Sequence, residues 1–351
     1  MMKKLVVFIL VIGLCPLGLQ AKGFLKSRVD ERMELLSVVM RLAGVPEYSR
    51  GMIPEYNQCV DEFFAAYQDH PVVTTARKMR RKYAFRRDAV LNLAVHLKIE
   101  GDSVFFDPAL TTEGMDSRTN NELTPVFIRE LDDFYKKTGA NRFFSSVREL
   151  YRHFGEKTDE QVADKIRSEW FDDFFGWHAS DFCIVQTLLI GEYSFYTTTV
   201  DKEGKEITYF SIRGFLDQRK QPSADWKVAR STVLWGMAHT YGDPLMDECE
   251  AVLKPYVKVI YKRMDREIGS WPYRETEAVL HEGFARGIEV FYIQFFDEDN
   301  KDVIGKQERQ GYYWLGSFSD LLTMYAGSRD EYKTLRDFMP QIVNFYKELA
   351  Q

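Results

Sequence analysis

DFCIVQTLLIGEYSFYTTTVDKEGKEITYFSIR, residues 181–213, breaks the helical period of the chain around it. Phe182 to Ile190 is an apolar run, short for a core helix and bounded by Asp181 and Gly191, which predicts a buried strand. Ser194 to Val200 and Ile207 to Ile212 are β-branched and aromatic. They flank Asp201-Lys202-Glu203-Gly204-Lys205, whose polar residues and glycine suit a hairpin loop. A small antiparallel sheet is therefore expected over about 182–213.

Both flanks read as helices. On the N-terminal side, Met33, Leu36, Val39 and Met40 fall at helical spacing before Gly44 and Pro46. Val60, Phe63, Phe64 and Tyr67 follow, ending before His70-Pro71. Ala89–Leu97, Pro125–Tyr135, Arg142–Phe154 and Asp159–Phe175 continue the series. The period returns over Trp226–Tyr241, Asp247–Met264, Glu275–Phe296 and Tyr332–Leu349. The predicted class is α+β with helices dominant. One domain is expected over 22–351, with a helical part about 28–178, the sheet, and C-terminal helices about 224–351.

The N-terminus reads as a cleavable export signal. Lys3 and Lys4 form a basic head, Leu5 to Leu14 an apolar run, Pro16 and Gly18 a break, and Ala21 a small residue before the cut. The run is too short for a membrane span, which needs about 20 apolar residues. Cys15 offers a lipoprotein alternative, but Leu14 before it is not small, so cleavage after Ala21 is favoured. The mature chain would start at Lys22, in the periplasm or outside the cell, with no transmembrane segment. Losing Lys3 and Lys4 takes the formal charge from −6 to −8. An acidic chain argues against nucleic acid as partner, since phosphate binding needs clustered Lys and Arg. The single basic cluster, Arg77 to Lys82 with Arg86 and Arg87, reads as a solvated helix face. Cys59, Cys183 and Cys249 lie among apolar residues without CxxC spacing and are expected as buried thiols without a disulfide framework. Aromatic residues are 15% of the chain. Most should be core, and the remainder could contact a peptide, protein or glycan ligand.

Hydrolytic zinc sites on a helix commonly use HExxH, where histidines four apart share a face and the glutamate is the general base. No complete HExxH occurs. Of six histidines, only His239, in Trp235-Gly236-Met237-Ala238-His239, and His281, in His281-Glu282, lie near a candidate acid group. Ala285 stands where a second histidine would follow His281. His70, His96, His153 and His178 are scattered.

ERMELLSVVMRLAGVPEY (31–48), HPVVTTARKMRRKYAFRRDAVLNLAVHL (70–97), LDDFYKKTGANRFF (131–144), and the hairpin followed by a helix through AHTYGDPL (238–245) together resemble a family of exported bacterial proteins. That family is known as a domain of unknown function, and its members resemble gluzincin metallopeptidases. The resemblance covers most of the mature chain. Family members carry HEFxHxxxNPL where this sequence has WGMAHTYGDPL, residues 235–245. The resemblance implies that Trp235 stands at the first histidine ligand, Gly236 at the general base, and His239 at the second ligand. Glu282, in LHEGFARGIEV, best matches the third ligand. Only His239 and Glu282 then remain as metal ligands.

A four-ligand structural zinc site is worth roughly 10–16 kcal/mol, so one lost ligand costs ~3 kcal/mol, on the order of a hundredfold in affinity. A missing base removes about another 10²–10⁴ in rate. A non-catalytic relative with no cofactor is the first reading. A hydrolase with a zinc site rearranged onto His281 and Asp243 is the second, and a scaffold whose Trp235 fills the cleft is the third. Against rearrangement, Pro244 should push Asp243 out of helical geometry, and His281 should point about 100° from Glu282. Trp235 and His239 should pack on one helix face, and Glu282 should pair with Arg286. His239 and Glu282 are expected within about 3–6 Å, given metal–ligand bonds near 2 Å. Trp235→His with Gly236→Glu is expected to restore metal binding if the surroundings are intact.

Overall fold

A computed structural model describes residues 23–112, 115–191, 194–264, 276–296 and 302–351. The expected leader, with Cys15 and Lys22, lies outside the described residues, as does Glu275 at the expected start of a later helix. The N-terminal half contains β1 (Phe24–Val29), α1 (Glu31–Leu42), α2 (Pro54–Phe64), α3 (Pro71–Tyr83), α4 (Asp88–His96), β2 (Leu97–Glu100), β3 (Ser103–Phe106), α5 (Thr124–Thr138), α6 (Ala140–Ser146), α7 (Arg148–Gln161) and α8 (Glu169–Phe175). The middle holds β4 (Asp181–Thr187), β5 (Phe195–Val200), β6 (Glu206–Arg213), β7 (Phe215–Leu216) and β8 (Pro222–Ser223). The last part is α9 (Trp226–Arg263), α10 (Gly283–Phe296), α11 (Val303–Arg309), α12 (Leu315–Gly327) and α13 (Leu335–Leu349). The fold is α+β and predominantly helical.

The expected hairpin is present, with β5 and β6 antiparallel and Phe195 opposite Ser211. It forms one side of a larger, mixed sheet of order β1-β4-β6-β5. β4 runs parallel to β6 and to β1. β1 was not legible in the sequence: FLKSRV alternates poorly and carries two basic residues. Every residue of β4 is buried, because helices cover both of its faces, and a strand buried on both faces reads as a run rather than an alternation. Phe182 and Ile184 join Phe210 and Ile212 in a core shared with the C-terminal helices. Cys183 and Val185 point the other way, into a core with Leu35, Val39, Phe127 and Phe154. The strand's period of two thus feeds two cores.

Helix boundaries differ from expectation in three places. The helix expected over Arg142–Phe154 is divided at Val147 between α6 and α7. The helix expected over Asp159–Phe175 is broken between α7 and α8, where the chain turns to bury Val162 and Ile166. The separate helices Trp226–Tyr241 and Asp247–Met264 are instead one helix of 38 residues that runs through Pro244 and Pro255. An internal proline costs a helix about 3 kcal/mol. Here Tyr241, Leu245, Met246, Leu253 and Val257 are all buried on the same helix, and that packing carries the chain past both prolines. The basic cluster on α3 is largely solvated, with Arg77, Lys78, Arg81 and Lys82 exposed. The cysteines are free, but only Cys183 is buried, while Cys59 is exposed and Cys249 is half-buried. Cys59 lies on the outer face of α2, where Tyr56, Val60 and Phe64 take the core positions.

Candidate functional site

Trp235, His239 and Asp243 are spaced four apart on α9, so they stack along one face. α10 is preceded by a π-helical turn, Glu277–Glu282. Contacts across the pair descend as the chain ascends: Ser231 Oγ donates to Glu289 at 2.7 Å, Trp235 meets Glu282, and His281 meets Asp243. The two helices are therefore antiparallel, and each side chain of the one finds a different turn of the other.

Glu282 is the centre of the site and is 2% exposed. The Trp235 indole Nε1–H donates to its Oε2 at 3.2 Å. Arg286 Nε lies 3.2 Å from the same oxygen. His239 Nε2 lies 3.6 Å from Oε1, an ion pair rather than a hydrogen bond at that distance. On its other side, His239 Nδ1 is 2.8 Å from Asp243 Oδ1. The Trp235 and His239 rings meet edge to face with centroids 4.8 Å apart, and Tyr196 of β5 closes on Trp235 at 5.1 Å.

Burial by itself would lower the pKa of His239, but Asp243 and Glu282 outweigh it and hold the imidazole up at about 9. Burial would likewise raise Glu282, yet His239 and Arg286 keep its carboxyl below the ordinary range. Asp243 is held low against burial by His239 and His281. The hydrogen bond to Asp243 raises His281. At neutral pH the site is a self-neutralising set of carboxylates, imidazolium and guanidinium.

His239 and Glu282 therefore come together, within the span expected for them. Asp243 does not behave as expected: it stays helical and keeps its place one turn past His239, because α9 does not stop at Pro244. His281 also reaches the cluster. It points to a different turn from Glu282, but the antiparallel α9 supplies Asp243 at 3.2 Å and Asp247 at 3.5 Å there. The expected Glu282–Arg286 pair is present, and it is buried rather than a surface support.

The positions implied by the zinc resemblance do not fit a catalytic metal. An indole offers only an N–H donor and no lone pair, and that N–H is spent on Glu282. A Cβ on Gly236 would lie 2.6 Å from the ring of buried Phe210 and 3.1 Å from Tyr196. No base could be placed there without moving a core ring, so the surroundings are not intact and Gly236→Glu is not expected to restore a site.

Beside this cluster lies a cleft of about 640 Å³ lined by Tyr196, Trp235, His239, Asp243, Glu250, Lys254, Thr276, Glu277, His281 and Glu282. Sequence reading missed Tyr196, Asp247, Glu250 and Lys254. The last three continue the face of Trp235 and His239 at helical spacing, a signal hidden by the expected break at Pro244. Tyr196 carried no local signal, since only strand pairing brings it to α9. The pattern of one family matches residues 25–345, nearly the whole chain. The chain belongs to DUF4932, a domain of unknown function. No curated protein and no solved structure matches this DUF4932 chain. Among its described residues, no helix is long and apolar enough to cross a membrane.

Proposed function

We propose that this DUF4932 member is an exported, non-catalytic relative of zinc metallopeptidase-like proteins, and that its former catalytic cleft binds an extended peptide. One observation carries the reading: the cleft is open while the positions that chemistry would need are occupied from within. Glu282 is engaged by Trp235 and Arg286, and the space a base would need at Gly236 is filled by rings. Peptide is favoured over glycan or folded protein because Tyr196 lies on β5, a terminal strand of the sheet. Such strands add extended segments through main-chain hydrogen bonds. Its far end already bonds Thr111 through Val200, leaving the Tyr196 end beside the cleft. Export rests on the basic head, apolar run and Ala21 of the sequence.

The rearranged-site hydrolase gains one observation, the contact of Asp243 with both His239 and His281. Elemental analysis separates the two readings. The non-catalytic reading expects no stoichiometric zinc and no metal-dependent peptidase activity. Near one zinc per chain, lost on His239→Ala, would establish the rearranged site instead. Ligand binding is tested by titrating intrinsic tryptophan fluorescence with a pool of synthetic peptides. Saturable binding, weakened by Tyr196→Ala, is expected, and no response at millimolar peptide rejects the cleft reading. N-terminal sequencing of secreted material should begin at Lys22. A lipidated Cys15 would make the protein a lipoprotein, and retention of Met1 would end the export reading.

A further inference from the structure

Glu282 is a carboxylate with almost no solvent contact, and such a group must be met by donors or by a cation. Three side chains meet it here, and two of them come from α9. Trp235 gives its N–H to Oε2 and His239 faces Oε1, while Arg286 folds back to Oε2 from one turn further along the same helical run. The indole meets both His239 and Tyr196 edge to face, and those two rings stack on each other with centroids 6.0 Å apart, so it is one corner of an aromatic triad and is held in place rather than merely present in the cleft wall. It is also one rung of the polar ladder that joins α9 to α10, with Ser231–Glu289 on one side and Asp243–His281 on the other.

We infer that the Trp235 indole is a built-in plug and staple: it occupies the Glu282 oxygen that a metal ion or ligand entering the cleft would need, and it ties α9 to the turn that opens α10. The disagreement between the zinc resemblance and the residues present is then a replacement rather than a simple loss. The same carboxylate that a metal would neutralise is satisfied by an N–H, an imidazole and a guanidinium. The inference does not depend on the cleft's binding a peptide.

Two substitutions in the purified protein test it. Trp235→Phe keeps a ring and removes the N–H. It should lower Tm by about 3–6 °C, the size expected for losing one hydrogen bond to a charged group in a chain of this length, and excess zinc should not restore it. Trp235→His replaces the donor with a ring nitrogen that carries a lone pair, four residues from His239 and facing Glu282. It should acquire close to one zinc per chain with a zinc-dependent rise in Tm, and Glu282→Gln in the same background should abolish both. An unchanged Tm in Trp235→Phe overturns the staple, and a zinc-free Trp235→His overturns the plug. Should Trp235→Phe fail to fold, the wild-type protein still decides the staple. Exchange of the Trp235 Nε1–H, read by NMR, should be slower than that of an exposed indole by at least about tenfold, and exchange at the exposed rate overturns it.

Discussion

His239 has Nδ1 on Asp243 and Nε2 facing Glu282, and it is 5% exposed. A protonated imidazole between two carboxylates neutralises both electrostatically, through a hydrogen bond to Asp243 on one side and a longer ion pair with Glu282 on the other. The consequence is a pH dependence with a definite sign. The folded imidazole holds its proton to about 9, against 6.5 ordinarily. Its stabilising contribution is therefore complete below pH 6.5 and is lost as pH rises through about 9, on the order of 3 kcal/mol in all. Urea denaturation at pH 6.5 and 9.5 should show that fall in the wild type, and His239→Gln should flatten it. A fall of equal size in His239→Gln would place its origin elsewhere.

At the scale of elements, α9 decides the site. Its 38 residues carry Trp235, His239, Asp243, Asp247, Glu250 and Lys254 along one continuous helix. A break at Pro244 would have sent the second half elsewhere and left His281 without its partners. The helix tolerates the proline, so the strain should be recoverable. Pro244 is exposed, and Pro244→Ala is expected to raise stability by on the order of 1–2 kcal/mol, less than the full helix-interior penalty because proline also restricts the unfolded chain. Chemical denaturation measures it, and a loss of stability would mean that the proline bends α9 into its packed position. β4 is the other deciding element. Ile184→Ala opens the C-terminal core and should cost about 2–5 kcal/mol, read as a lower denaturation midpoint.

At the scale of the molecule, the two cores are joined through the sheet, and one buried acid ties the elements of the N-terminal core together. Glu34 of α1 accepts the Leu188 N–H just after β4 at 3.0 Å and the Tyr56 hydroxyl of α2 at 2.7 Å. Tyr56 in turn contacts Tyr151 of α7. Burial pushes the Glu34 carboxyl up to about 7 from 4.5, against the pull of those two donors. The folded protein therefore binds this proton more tightly than the unfolded chain. Stability from this group is greatest below pH 4.5 and is lost as pH rises through about 7, on the order of 3 kcal/mol. Glu34→Gln keeps an acceptor and removes the charge. It should be the more stable protein at pH 8 and lose its advantage near pH 4.5, as followed by Tm at the two pH values; equal stability at both would show that Glu34 is not burdened by burial.

Much of this was legible without coordinates. Helical spacing around Met33 and Leu36, the apolar run of β4 and the turn at Asp201–Lys205 are local signals, and each became the expected element because period and turn chemistry act over a few residues. The placing of Trp235 and Gly236 at ligand and base positions is what the resemblance of residues 235–245 to the HEFxHxxxNPL motif implies. What only the tertiary structure decided depends on contacts distant in sequence. β1 is a strand because β4 offers it a parallel partner, not because FLKSRV favours one. Asp243 is helical because Tyr241, Leu245 and Met246 are buried around it, and packing outweighs the proline that local rules treat as a stop. Glu282 meets Trp235 because α10 runs antiparallel to α9, a fact that no window of residues contains.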